Sequence, residues 1–262
     1  MSTRAVLEAE HLYRMVEQSL VPPTTVRELD PDTIHAATAR LGDVVGNASE
    51  RYQLDSMLTD AEMRRLPTPG EATTLRQYFF TNTAEGYDRL VGKGSRWAGR
   101  HPDGLLRRVL EPAWSEAVAV GALFAIDLLL VRDGVLWRQV PGRDGALFDQ
   151  RLDPARRQDL VDAVPASSTP VDLDLTVFAV GAFARAGYLY GKRSYRAVAM
   201  SAGLVLGSLT RAAGAVGVRA GLVDQFVDHR LNVALANDGV DRGIVAVLRL
   251  QAQPPSEDRS AT

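Results

Sequence analysis

The stretch from Ser194 to Val218, SYRAVAMSAGLVLGSLTRAAGAVGV, does most to limit what this chain can become. It is dominated by Ala, Gly, Val and Leu, and it is entered through YLYGKRSYR, a turn rich in tyrosine and base. Helical spacing places Ala199, Ala202, Gly203, Leu206, Thr210, Ala213 and Gly217 along one broad face. Small residues let another backbone come close, and the Leu and Val positions fill the space between. Such a helix, taken as Arg196–Val218, belongs at the centre of a domain or of a dimer. The run Val198–Leu209 is too short to span a bilayer, as is Ala117–Ile126. No membrane partner is expected.

The remaining composition mostly excludes. A chain of 262 residues makes one large domain or two small ones. A net charge of −2 gives no reason to expect nucleic acid. There is no cysteine, so disulfides, thiolate metal sites and a thiol nucleophile are out. The four histidines, His11, His35, His101 and His229, show no metal-ligand spacing, and no metal is expected. G-x-S-x-G, the P-loop and G-x-G-x-x-G are all missing. The N-terminus has no apolar signal core, which points to a cytoplasmic protein.

The pattern divides into residues 1–68, a charged helical segment or embellishment, a domain over 72–250, and a disordered tail over 251–262. In the first, Val6–Leu20, Thr33–Leu41 and Leu54–Arg65 read as helices, and Pro67-Thr68-Pro69-Gly70 as a linker. In the second, VAVGALFAIDLLLV ends in a strand, Arg132-Asp133-Gly134 turns, and Val135–Val140 alternates as a strand. Pro141–Gly145 turns again, and Asp153–Ala163 opens on Asp-Pro as a helix. Val171–Val180 is apolar on both faces and reads as a buried strand. After the long helix come a short helix at Gln225–Leu235 and a last strand at Gly243–Leu250. Strands mixed with long helices make an α+β fold.

The order of these segments resembles the nitroreductase superfamily, in its SagB/McbC-type branch of azoline dehydrogenases. That branch carries S-A-G-A-L-Y-P before a strand, where this chain has Ala119-Val-Gly121-Ala122-Leu123-Phe124-Ala125. Its K-Y-G-x-R-x-Y-R is matched by Leu189-Tyr190-Gly191-Lys192-Arg193-Ser194-Tyr195-Arg196. Its A-G-H-x-x-Q-N-L helix is matched by Ala202–Leu209, and its F-D-D-x-x-x-N-x-x-L-x-x-D-G segment by QFVDHRLNVALANDGVDRG. The likeness runs over about residues 115–250. Thr74-Leu75-Arg76-Gln77-Tyr78 is the nearest candidate for the family's N-terminal R-R-S-x-R signature.

The resemblance implies a nitroreductase-like, dimeric fold with a central mixed or antiparallel sheet. It implies FMN as cofactor and oxidation of azolines to thiazoles or oxazoles on a ribosomally made peptide, in a thiopeptide-like pathway. Tyr190 and Lys192 are then the catalytic candidates. A phenol both donates and accepts hydrogen bonds and can relay a proton when cations stand near. The cofactor candidates are Gly121, Ala122 and Leu123 against the ring, with Arg193, Tyr195, Arg196, Ser208 and Arg249 as further contacts. The chain also departs from the family. The catalytic lysine position is Leu189, the serine Ala119, the proline Ala125, and the helix His and Gln are Leu204 and Gly207. These departures leave two alternatives: a non-catalytic scaffold or peptide-binding subunit in a heteromer, or a flavin-free enzyme performing cyclisation or elimination on the same peptides.

Overall fold

The computed structural model describes Tyr52 and residues 56–100, 104–119, 121–164, 175–223 and 225–252. The chain divides between Asp55 and Ser56, and all the architecture below belongs to the second unit. The expected helices Val6–Leu20 and Thr33–Leu41 lie outside the described residues, as do residues 253–262 of the expected tail over 251–262, whereas Gln251 and Ala252 belong to the last strand instead, paired with Arg219 and Val218.

Seven strands form one sheet, antiparallel at every pairing. They are β1 (Ala98–Gly99), β2 (Ile126–Arg132), β3 (Val135–Gln139), β4 (Ala146–Arg151), β5 (Thr176–Ala182), β6 (Val218–Val223) and β7 (Arg242–Ala252), in the order β1-β4-β3-β2-β5-β7-β6. With helices on both sides of this sheet, the fold is α+β.

Strand alternation divides the core into two layers. Ile126, Leu128 and Leu130 of β2, with Val177 and Ala179 of β5, pack on α3 (Gly104–Ala119) and α6 (Ser194–Ala215). Leu129, Val131, Phe178 and Val180 point the other way, onto α4 (Pro154–Ala163) and α7 (Asp228–Ala234). Every residue of β5 is buried, as its two apolar faces predict.

The N-terminal part differs from the sequence expectation. Only α1 (Asp60–Met63) forms within the expected Leu54–Arg65 helix among the described residues. The expected linker is instead the start of α2 (Pro69–Gly92). Thr68 caps it: its hydroxyl accepts from the Glu71 N–H, and the Glu71 carboxylate accepts from the Thr68 N–H at 2.8 Å. Pro69 stands at the first helical position, where no amide hydrogen is needed.

The small-sided segment also divides. Helix α5 (Phe183–Tyr190) ends at Gly191, a 3-10 turn covers Gly191–Arg193, and α6 stops at Ala215, so Val218 opens β6. The span Phe183–Ala215 is long and apolar enough to cross a membrane by length and composition, and half of its most apolar window is buried inside the protein. Val198, Ala202, Val205, Leu206 and Leu209 form its buried side. Gly181 of β5 makes that packing possible, because a Cβ there would lie 2.6 Å from Val198 Cγ1. Ala199, Met200, Gly203 and Leu204 face outward.

Candidate functional site

Tyr190 and Gly121 are linked through one side chain, Arg76. Gly121 opens the 3-10 turn Ala122–Phe124 that leads into β2, and the Ala182 N–H donates to Ala125 O at 2.9 Å, tying that turn to the end of β5. Gly121 has φ 71°, in the left-handed region that favours glycine. Its open side is occupied: a Cβ there would sit 3.2 Å from both Cδ and Nε of Arg76. Arg76 comes from α2 and donates through Nη2 to Tyr190 Oη at 3.0 Å. A guanidinium only donates, so the phenol oxygen is the acceptor and its own hydrogen is left for another partner. Arg76 Nε is buried and has no hydrogen-bond partner.

Beside this corner lies a charged cluster on the α4 and α7 side of the sheet. Asp127 of β2 takes Arg185 Nη2 on Oδ1 at 2.8 Å, and on Oδ2 it faces Arg242 at 3.0 Å and Arg138 at 3.6 Å. Arg138 reaches on to Asp149 at 3.7 Å. Arg185 also donates from Nε to the Phe124 carbonyl and lies over the Phe79 ring, 4.5 Å from its centre. Burial, followed by the like charge of Arg138, pushes the Arg242 guanidinium below its usual range, and Asp127 partly offsets this.

The other candidates are placed apart. Lys192 pairs with Glu62 of α1 at 2.9 Å. The Thr59 N–H, followed by Lys192, holds the Glu62 carboxyl down at about 2. Arg193 donates from Nε to Ser56 O at 3.3 Å. Ser208 is buried on α6, where its hydroxyl accepts from Arg211, the partner of Glu116. Arg249 sits across from Thr176 on β7, at the opposite end of β5 from Gly181 and the Gly121 turn. Ala122 and Leu123 bury their side chains beneath that turn, so only its backbone can face a ligand. Leu189, at the family's lysine position, is buried as well. The sequence missed the pairing of Arg76 with Tyr190 and the whole Asp127 cluster. The one available signal was TLRQY.

Tyr195 and Arg196 lie on the first turn of α6. Tyr195 stacks on Phe183, with ring centres 5.4 Å apart. It stands at a groove of about 690 Å³ running beside α6, lined by Val198, Ala202 and Leu206 with Leu222 of β6 and Val245 of β7. Among the described residues no cluster of three His, Asp or Glu side chains could hold a metal ion.

No protein-family model and no curated protein matches the chain. Among solved structures, the chain is similar to proteins of the nitroreductase family. One is a protein described as a nitroreductase from Anabaena variabilis, at 21% identity and TM-score 0.48, over 59% of this chain and 37% of that one. Another is a chain of the Escherichia coli microcin synthetase McbBCD complex with truncated pro-MccB17 bound, at 16% and 0.48, over 57% and 63%. A third, described as a nitroreductase from Ralstonia eutropha, gives 14% and 0.48, over 60% and 75%. This chain therefore spans less than two thirds of the first two.

Proposed function

We propose that this chain is an FMN-dependent dehydrogenase that oxidises azolines to azoles on a ribosomally made peptide, in a thiopeptide-like pathway. The observation that carries the reading is the Arg76–Tyr190 hydrogen bond at 3.0 Å beside Gly121. It joins the two segments that most resemble the SagB-type motifs to the one candidate for the N-terminal arginine signature.

The residues fit the ring end of a flavin. A left-handed glycine lets Arg76 lie against the backbone of the turn, and Arg76 brings a buried Nε–H with no other partner. When bound, a flavin supplies the two-electron acceptor. The chain's own part is the proton lost from one ring carbon, the other hydrogen leaving with its electron pair as hydride. Tyr190 Oη would relay that proton, taking it up as its own hydroxyl hydrogen passes to water, and Arg76 orients that oxygen through its donated bond. Lys192, engaged with Glu62, positions the turn after Tyr190. The phosphate end draws on a second copy of the chain, packed through the outward face of α6, where a Cβ at Gly203 would meet nothing within 4 Å.

A second reading is a non-catalytic subunit that binds peptide and completes a partner's site. The burial of Leu189 at the lysine position favours it. Incubating the full chain and FMN with an azoline-bearing peptide separates the two. Loss of two hydrogen atoms per ring, seen by mass spectrometry and slowed about 100-fold in Tyr190→Phe, supports the dehydrogenase. Flavin uptake without that loss supports the subunit.

A further inference from the structure

The groove beside α6 exists because β6 stops short. That strand pairs with β7 only from Val218, opposite Ala252, to Val223, opposite Val247. Residues 242–246 of β7 therefore have β5 on one side and, among the described residues, no strand on the other. Another strand cannot simply continue the line of β6, because Asn232 Oδ1 of α7 already accepts from the Ile244 N–H at 2.9 Å. Val245 is the extra residue of a bulge opposite Ala179 and Val180, and it lines the groove. Ala199, Ala202 and Gly203 of α6 leave open the space that larger side chains would fill.

Three large apolar side chains among its lining are exposed: Tyr195 at 54%, Leu222 at 57% and Val240 at 76%. The groove is thus open along the surface, as a chain segment requires. Its volume of about 690 Å³ lies within the roughly 300–1,000 Å³ of binding sites. One lining residue is charged: Asp228, exposed at the start of α7. Among the described residues it has no base as partner. His229 and Arg230 follow it but do not line the groove, and Arg242 is engaged with Asp127 on the other face of the sheet. An apolar surface with one unmatched carboxylate is complementary to apolar side chains that carry a base among them. With a peptide as substrate, as proposed above, we infer that this groove holds an apolar, lysine- or arginine-bearing stretch of that peptide, with its cation at Asp228. Neither Arg76 nor Tyr190 lines the groove, so this contact is separate from the place where the ring reacts.

The test is a titration of the ¹⁵N-labelled full chain, without flavin, with the tripeptide N-acetyl-Leu-Lys-Leu-amide. It follows the side-chain amide resonances of Asn232, a lining residue, which are assigned by their loss in Asn232→Asp. A saturable shift in the millimolar range is expected for so short a ligand. The same tripeptide with norleucine for lysine should bind about two- to fivefold more weakly, and with glutamate about five- to tenfold. Asp228→Asn should abolish the difference between lysine and norleucine. No saturable shift up to about 100 mM overturns the site. Equal binding of the lysine and glutamate peptides overturns the role of Asp228. Displacement of the lysine peptide by FMN gives the groove to the flavin and overturns the peptide as its occupant. Should Asp228→Asn fail to fold, the three peptides compared on the unaltered chain decide the matter. The titration reads no turnover, so its outcome is independent of whether the chain oxidises azolines.

Discussion

Arg76 and Arg185 flank the same turn, one reaching it from α2 and the other from α5, yet they are held very differently. Arg185 has its Nε on the Phe124 carbonyl, its Nη2 on Asp127 and its flat face on Phe79. It is built into the fold. Arg76 meets Tyr190 through one nitrogen and keeps a buried Nε without a partner. A guanidinium held through two nitrogens and a ring face contributes stability, and one with a buried donor to spare is available to a ligand. The number of satisfied donors, not the residue type, separates the scaffold from the site.

Removing the acid at the centre of the cluster should have the largest effect. Asp127→Ala leaves Arg138, Arg185 and Arg242 facing one another with only Asp149 nearby, and should destabilise the chain by about 3 kcal/mol in urea unfolding. Arg185→Met should cost about 2 kcal/mol by the same measurement, since it removes a hydrogen bond, an ion pair and a ring contact together. Tyr190→Phe should reverse this balance. It loses one half-buried hydrogen bond, so stability should change by about 1 kcal/mol or less, while azoline oxidation falls about 100-fold. A Tyr190→Phe chain as unstable as Arg185→Met would show that both arginines serve only the fold.

The smallest effect concerns pH. The Glu62 carboxyl is held at about 2 against an ordinary 4.5, so its contribution is complete above 4.5 and is lost as pH falls through about 2. An NMR titration of Glu62 should give that low midpoint. Lys192→Met should raise it only part of the way, because the Thr59 N–H is the larger cause. A midpoint back at 4.5 in that variant would make Lys192 the main partner.

Much of the fold was legible where a local signal names an element. Asp153-Pro154 opens α4 as a cap should, with the Asp153 carboxylate accepting from the Arg156 N–H at 2.8 Å. Two-sided apolarity found β5. The same kind of signal was overlooked at Thr68-x-x-Glu71, where two prolines suggested a linker although the capping box was complete. Strand β6 was not anticipated: the expected helix ran on to Val218, its first residue, because VRAGLV continues the small, apolar composition of α6 and only Gly217 marks the break. Strand β4 was hidden within a polar stretch, ALFDQR, whose pairing with β3 and β1 decides its conformation. At the site, Gly121 and Tyr190 were visible as motif positions. Their connection was not, since Arg76 lies 114 residues from Tyr190 and no local pattern encodes a contact across that distance. Lys192 was expected at Tyr190 from its nearness in sequence, but the 3-10 turn at Gly191–Arg193 carries it to Glu62.

The central claim is that the Arg76–Tyr190 corner binds a flavin, and a titration of the full chain with FMN, followed by difference absorbance, tests it most directly. The account predicts saturation near one FMN per chain and at least about tenfold weaker binding in an Arg76→Met chain that unfolds at the same urea concentration as the parent. A folded parent chain that takes up no FMN, or an Arg76→Met chain that binds it equally well, would contradict it.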